Sequence, residues 1–205
     1  MSDKIKVKII LGSTRSGRFG EKPARWLLEQ AKAEGSFEAE LLDLRDYPMP
    51  FFDDSVSPSR NTTGKYPNPT VQKWADKIRE ADAFIIVTPE YNHGYPAVLK
   101  NALDVVYLEW NNKPVGFVGY GSVLGARAIE QLRGVAIELQ MAPIRNAIHI
   151  PGDVYMAAAG NGGADLSVFK SLRDGPMGDR VAGFFTQLAW WASALKAARQ
   201  AKTRQ

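Results

Sequence analysis

The chain has 205 residues, 45% hydrophobic and 23% charged, which is ordinary for a globular protein of one moderate domain. A formal charge of +4, with no basic stripe interleaved with aromatics, argues against nucleic acid as a partner. Cysteine is absent, which excludes disulfides, cysteine nucleophiles and thiolate metal sites. Two histidines, His93 and His149, without a His-Glu-x-x-His pattern argue against catalytic zinc, so no metal is expected.

Met1-Ser2-Asp3-Lys4 leads straight into an apolar run, Lys4–Ile10, that reads as the first strand. No secretory signal and no bilayer-length run is legible, so a cytoplasmic protein that does not enter the membrane is expected. Glu21–Glu34 reads as a helix ended by Gly35, and Phe37–Leu44 as a second strand. Arg45–Asn68 is a long polar connection holding Pro48, Pro50, Pro58 and Pro67. A helix over Pro69–Ala81 then precedes a third strand, Ala83–Thr88, whose continuous apolar run suits burial on both faces. A helix over Pro96–Tyr107, a strand over Val115–Gly119, a helix over Gly125–Gln140 and a strand within Ala142–Ile150 follow.

Pro151–Gly178 is glycine-rich, with Gly160, Gly162, Gly163, Gly175 and Gly178. The last helix, Arg180–Lys196, carries Phe184, Phe185, Leu188, Trp191 and Leu195 at helical spacing. The cations Lys196, Arg199, Lys202 and Arg204 suit its C-terminal end. Alternating strands and helices predict one α/β domain over 1–205. Its fold is a flavodoxin-like, doubly wound five-stranded parallel sheet of order 2-1-3-4-5 with helices on both faces.

Three loops carry the chemistry. The first, Leu11–Gly20, joins a strand to a helix start, where backbone N–H groups have no intrahelical partner and the dipole favours anions. Ser13, Thr14 and Ser16 add hydroxyls, and Arg15 and Arg18 add charge and bidentate geometry. Gly12 and Gly17 have the Walker separation, but Arg18 stands where that motif needs Lys and Phe19 where it needs a metal-binding hydroxyl. Thr14 stands where a Rossmann fingerprint needs its second glycine. Asp43 lies further on than that motif's ribose acid. A single phosphate held by hydroxyls, amides and arginine remains, with an ordinary polar turn as the alternative.

In this strand order ligands bind at the switch point between strands one and three. The loop there is Thr88-Pro89-Glu90-Tyr91-Asn92-His93-Gly94-Tyr95-Pro96. Prolines stiffen it, Gly94 can take a positive φ, and Tyr91 and Asn92 can meet a planar heterocycle. The third loop, Gly119–Gly125, permits close approach through its glycines, although a plain turn fits as well. Together the loops describe a phosphate at one end and a flat polar ring at the other, the shape of flavin mononucleotide.

Leu11–Ser16 and Thr88–Asp104 resemble the NADPH-dependent FMN reductase family, flavodoxin-like quinone, azo-dye and chromate reductases. The resemblance covers roughly residues 4–150, with Pro89–Asp104 its most specific part and Leu42–Pro50 a further match. It implies that Ser13, Thr14, Arg15, Ser16, Arg18 and the amides through Phe19 and Gly20 bind the FMN phosphate. It implies ring contacts from Pro89, Glu90, Tyr91, Asn92 and His93, largely through backbone groups, with Gly121 and Ser122 lining the other side. The family often has Ser at the position of His93.

The resemblance also implies a homodimer or homotetramer and NADPH or NADH as co-substrate. The implied reaction moves hydride through FMN to a small-molecule acceptor such as a quinone, azo compound, oxidised metal ion or flavin. No side chain is required as a catalytic residue, because the flavin carries the chemistry. Two alternatives are an electron carrier without NAD(P)H oxidation and a reductase that supplies reduced FMN to a monooxygenase. His93 either protonates a reduced quinone or caps the loop, with the cap preferred. His149 reads as a structural strand residue. Glu90 is expected to offer its amide to the flavin while its carboxylate pairs elsewhere, such as at a subunit interface. Lys100 and Asp104 read as a surface pair, and Trp190 and Trp191 as core or interface residues.

Overall fold

A computed structural model describes residues 4–160, 165–175 and 178–203. Gly162, Gly163 and Arg204 lie outside the described residues. Five parallel strands form one sheet of order β2-β1-β3-β4-β5: β1 Ile5–Leu11, β2 Phe37–Asp43, β3 Ala83–Pro89, β4 Pro114–Tyr120 and β5 Ala142–His149. All residues of β3 and β4 are buried, as strands covered on both faces must be.

Helices α1 (Glu21–Ala33), α2 (Pro69–Glu80), α3 (Ala97–Asp104) and α4 (Ala126–Glu138) fill the crossovers, and α7 (Gly178–Thr203) ends the fold. Local chemistry sets their starts. At α2 the Asn68 side chain accepts from the amides of Thr70 at 2.8 Å and Val71 at 3.2 Å, with Pro69 at the first helical position.

Each sheet face has its own core. On one, Trp26 and Leu27 of α1 pack with Phe184, Phe185 and Leu188 of α7. On the other, Trp74, Leu99, Leu132 and Trp110 cover Phe84 and Phe117. Burying one such large side chain contributes about 1.5–3 kcal/mol.

The two long connections behave differently. Arg45–Asn68 holds only short 3-10 turns, but it is pinned at two points. Asn101 Nδ2 donates to the Pro50 carbonyl at 2.8 Å, and Asn101 Oδ1 accepts from the Phe52 amide at 2.9 Å. The Tyr66 hydroxyl donates to the buried Glu109 carboxylate at 2.9 Å. The Pro151–Gly178 stretch contains α5 (Gly152–Gly160) and α6 (Lys170–Asp174), more helix than its glycines suggest. Val154 to Ala159 is a run of mostly good helix formers, which outweighs the flanking glycines.

Trp190 and Trp191 are surface residues of α7, 65% and 37% exposed, which removes the core half of the core-or-interface expectation. The helix turns Phe184, Phe185 and Leu188 inward, with Trp190 on the opposite side and Trp191 at the edge of the buried face. No helix among the described residues is long and apolar enough to cross a membrane.

At the end of the sheet away from the strand C-termini, Lys113 is 5% exposed. Its Nζ donates to the carbonyls of Ile78 at 2.8 Å and Arg79 at 3.1 Å, the last turn of α2. Burial, aided by the Arg199 charge, pushes its pKa down to about 7. The unfolded chain keeps that proton to the ordinary lysine range, so above pH 7 the unfolded state binds more protons and stability rises with pH. Urea unfolding of the wild type should show stability rising between pH 7 and pH 9 by at most about 1.4 kcal/mol per pH unit. Lys113→Met should abolish most of that rise, and a slope unchanged in the variant contradicts the assignment.

Candidate functional site

The loops after β1, β3 and β4 converge at the C-terminal edge of the sheet, where the order reverses between β1 and β3. One hydrogen bond joins two of them directly: the Ser13 and Tyr91 hydroxyls lie 3.0 Å apart. Ser13 is buried, and Tyr91 is 36% exposed with its ring spanning the gap.

The first loop turns its two arginines in opposite directions. Arg18 points inward and is 7% exposed. Its Nη1 donates to Asp43 Oδ1 at 2.8 Å and to the Ser13 carbonyl at 2.6 Å, and its Nη2 donates to Asp43 Oδ2. Asp43 also accepts from the Arg45 amide at 2.9 Å. Burial alone would raise the Asp43 carboxyl. The Arg18 fork and the Arg45 amide outweigh it and hold the pKa below the usual range.

Arg15 points outward, is exposed, and its guanidinium has no hydrogen bond or ion pair among the described residues. Arg45 lies over the loop from β2, donating to the carbonyls of Thr14 at 3.3 Å and Arg15 at 2.6 Å. With those carbonyls tied back, the amides of Ser13, Thr14, Ser16, Gly17 and Phe19 make no hydrogen bond among the described residues. They lie ahead of α1, whose N-cap Gly20 has no side-chain cap. Thr14 and Ser16 are exposed beside them. Phe19 contributes backbone only, because its ring is buried against Tyr120 at 4.9 Å and Tyr155 at 4.4 Å.

The second loop is a tight turn. Tyr91 and Gly94 exchange backbone hydrogen bonds of 2.8 and 3.0 Å. The positive φ angles fall on Asn92 at 50° and His93 at 71°, and Gly94, which could have taken one, does not. A two-residue turn of this kind needs φ above zero at both central positions. Histidine is uncommon there, and the neighbouring helix secures it. Arg127 Nε donates to Glu90 Oε1 at 2.5 Å, and its Nη1 donates to His93 Nε2 at 2.9 Å. Its amide, in the first turn of α4, donates to Glu90 Oε2 at 3.1 Å. Gln131 Nε2 holds the His93 carbonyl at 3.1 Å.

Arginine can only donate, so His93 Nε2 accepts and the ring proton sits on Nδ1. The Glu90 carboxylate is therefore satisfied within the chain. The Glu90 amide, expected at a ring, donates to the Tyr120 carbonyl at 3.0 Å. The amides of Asn92 and His93 make no hydrogen bond among the described residues and are the donors this loop presents.

In the third loop Gly121 has φ 138° and its backbone backs onto Glu90. Gly121 O accepts from the Leu124 amide at 2.9 Å, which puts exposed Ser122 near the tip. His149 Nδ1 donates to the Leu124 carbonyl at 3.0 Å, so this histidine braces the loop from the end of β5. Lys100 and Asp104 form the expected surface pair at 2.6 Å.

Sequence reasoning did not single out Arg45, Arg127, Gln131 or Tyr120. Asp43 was noticed only as a misplaced ribose acid. Its use is visible once β2 is known to lie beside β1, which brings it against Arg18.

The donors fit an anion with a flat group attached. Unpartnered amides, an outward arginine and hydroxyls stand at a helix N-terminus, and further amides face them across the switch point. Among the described residues no cluster of His, Cys, Asp and Glu suited to a metal occurs.

Comparison with known proteins agrees. The family model for NADPH-dependent FMN reductase matches residues 5–154, a span that contains all three loops. An NAD(P)H-dependent FMN reductase of Schizosaccharomyces pombe is 41% identical over 150 residues, covering 72% of this chain and 74% of that one. Another, from Nectria sp, is 31% identical over 191 residues, covering 90% and 87%. A solved flavoenzyme NAD(P)H:(acceptor) oxidoreductase from Paracoccus denitrificans shares the fold with a TM-score of 0.65 at 22% identity, over 93% of this chain and 98% of that one.

Removing Asp43 strands a buried cation under the first loop. Asp43→Ala should cost about 3 kcal/mol in urea unfolding at pH 7, the low end for breaking a buried pair. In the wild type this contribution is present above the ordinary aspartate range and lost as pH falls through the lowered value. A variant as stable as the wild type at pH 7 contradicts the role given to the pair.

Proposed function

The chain belongs to the NADPH-dependent FMN reductase family, and from that premise we propose how its three loops hold FMN and what reaction they serve. The enzyme is an oxidoreductase of the NAD(P)H-dependent FMN reductase and quinone reductase type. In our reading the amides of Ser13, Thr14, Ser16, Gly17 and Phe19 and the Arg15 guanidinium bind the phosphate at the positive end of α1. Ser13 and Thr14 add hydroxyls, and Ser16 stands at the rim. The amides of Asn92 and His93 meet the polar edge of the ring, with Tyr91 beside it and Gly121 and Ser122 on the far side.

When bound, FMN would supply the hydride chemistry between NAD(P)H and an acceptor, for which a quinone, azo compound, oxidised metal ion or free flavin are the candidates. The protein's part is placement. Arg18 and Arg45 tie back the carbonyls of the first loop, so that its amides face an anion. Arg127 fixes the second turn from α4. His93 is a loop-holding residue in this reading, because its Nε2 is engaged by Arg127. Exposed Val123 and Leu124 side by side in the third loop are the feature on which we rest self-association as a dimer or tetramer. Light scattering that returns a monomer would remove that part.

The observation that carries the proposal is the pairing across the switch point. Two sets of uncommitted amides face one gap, joined by the 3.0 Å contact of Ser13 and Tyr91. Purified protein should take up FMN, turn yellow, and bleach on anaerobic addition of NADPH or NADH. Protein that stays colourless in FMN, or flavin that neither nucleotide reduces, contradicts the proposal. Comparing quinone, azo dye, ferric ion and FMN as acceptors in steady state then identifies the preferred class. Arg15→Ala should weaken FMN binding by about 1.5–3 kcal/mol, the range for hydrogen bonds to charged groups. Unchanged affinity by titration places the phosphate elsewhere.

A further inference from the structure

A cavity of about 310 Å³ opens between the first loop, the exit of β2 and the start of α3. That is the small end of the range for ligand pockets, about 300–1,000 Å³. Tyr47, Pro48, Met49 and Val98 give it apolar walls. Asn101 closes one side, with its amide spent on the Pro50 carbonyl and the Phe52 amide, so that wall is fixed. Thr14 and Arg45, both exposed, complete the lining.

Arg45 brings a cation with donors to spare. It spends Nε on the Thr14 carbonyl and one Nη2 donor on the Arg15 carbonyl. Its Nη1 donors have no hydrogen-bond partner among the described residues, and a guanidinium can only donate. None of the described lining residues is acidic, and Asp43 beside Arg45 is gripped by the Arg18 fork. An apolar slot that ends at such a group suits a flat, weakly polar ring system carrying an anion.

None of the described lining residues belongs to the second or third loop, where the proposed function puts the flavin ring. The reacting end of a substrate therefore has no place in this cavity, and a non-reacting end does. Of the substrates in that reaction, NAD(P)H is the one with a long non-reacting end, an adenosine with its phosphates. Binding such a remote end adds affinity without entering the chemistry.

We propose that this cavity is the anchoring subsite for NAD(P)H: the adenosine occupies it and one of the nucleotide's phosphates meets Arg45. This rests on the FMN reading of the site given above. Arg45 then serves both ligands, clearing carbonyls from the first loop and holding the nucleotide's anion.

The experiment titrates FMN-loaded protein calorimetrically with AMP and with adenosine 2′,5′-bisphosphate, the adenosine ends of NADH and NADPH without nicotinamide. The wild type should bind at least one of them. Val98→Phe puts a ring into the cavity and leaves Arg45 in place, and it should weaken that binding by about tenfold or more. Met49→Trp fills the same space from the loop side and should give the same loss. FMN affinity in either variant should stay within about twofold of the wild type, which also shows that the variant is folded. The KM for NAD(P)H should rise with kcat little changed, the pattern for binding shared by ground and transition states. A preference for the bisphosphate assigns the 2′-phosphate to Arg45, and equal binding assigns the 5′-phosphate.

Wild-type protein that binds neither nucleotide, or filled cavities that bind them as before, overturns the assignment. So does an FMN loss as large as the nucleotide loss, which would make the cavity part of the flavin site. FAD binding tighter than FMN binding, by a margin that Val98→Phe removes, also overturns it, because the cavity would then hold an adenylate joined to the flavin. Protein that takes up no FMN overturns this inference and the proposed function together. FMN uptake and reduction by NAD(P)H, with no effect of filling the cavity, overturns this inference alone.

Discussion

The inward fork of Arg18 onto Asp43 is the interaction that gives the first loop its use. A strand-to-helix loop has as many carbonyls as amides, and left alone it would present both to solvent. Arg18 Nη1 takes the Ser13 carbonyl while the fork grips Asp43 at the end of β2. Arg45, from the next turn of chain, takes the carbonyls of Thr14 and Arg15. Three carbonyls of the loop, of Ser13, Thr14 and Arg15, are thus drawn away, while the amides of Ser13, Thr14, Ser16, Gly17 and Phe19 are left over. An anion site is made here by disposing of carbonyls as much as by placing cations. Of the two arginines in the loop, the buried one is committed to Asp43 and the Ser13 carbonyl, and the exposed one is the one our proposal assigns to the phosphate.

The second loop solves a different problem. Its Tyr91–Gly94 turn demands left-handed backbone at two residues that are not glycine. A strained turn persists when its surroundings over-determine it. Here the surroundings are α4, through Arg127 on both Glu90 and His93 and through Gln131 on the His93 carbonyl. The glutamate carries a buried carboxylate that also caps the first turn of α4. A charge pair, a helix start and a turn therefore hold one another. The contact between Ser13 and Tyr91 then sets the two loops at a fixed separation. That rigidity suits an enzyme whose chemistry is supplied by a cofactor and whose own task is orientation.

Much of this is legible in the sequence. Buried strands such as Ala83–Thr88 announce themselves as unbroken apolar runs, and the helices between them follow from periodicity and capping. The sheet order and the three loops follow from there. What was hidden depends on contacts between distant parts of the chain. Arg15 and Arg18 are three residues apart and chemically equal, and only the register of β2 beside β1 assigns the inward role to Arg18. Gly94 is the natural residue for positive φ, but the pairing of Tyr91 with Gly94 moves that requirement onto Asn92 and His93. The Glu90 amide is spent on Tyr120 because β3 and β4 are neighbours. The glycines of the Pro151–Gly178 stretch masked two short helices. The spacing of α7 holds at its phenylalanines and Leu188, while Trp191 sits at the half-exposed edge of the same face.

The claim at the centre is that the Ser13–Gly20 loop binds the phosphate of FMN and the Asn92–His93 turn the edge of its ring. A crystal structure of the protein grown with FMN tests it most directly. The account predicts phosphate oxygens within hydrogen-bond distance of the first-loop amides and the Arg15 guanidinium, with the ring edge at the amides of Asn92 and His93. A phosphate directed into solvent, or a flavin seated away from the C-terminal edge of the sheet, would contradict it.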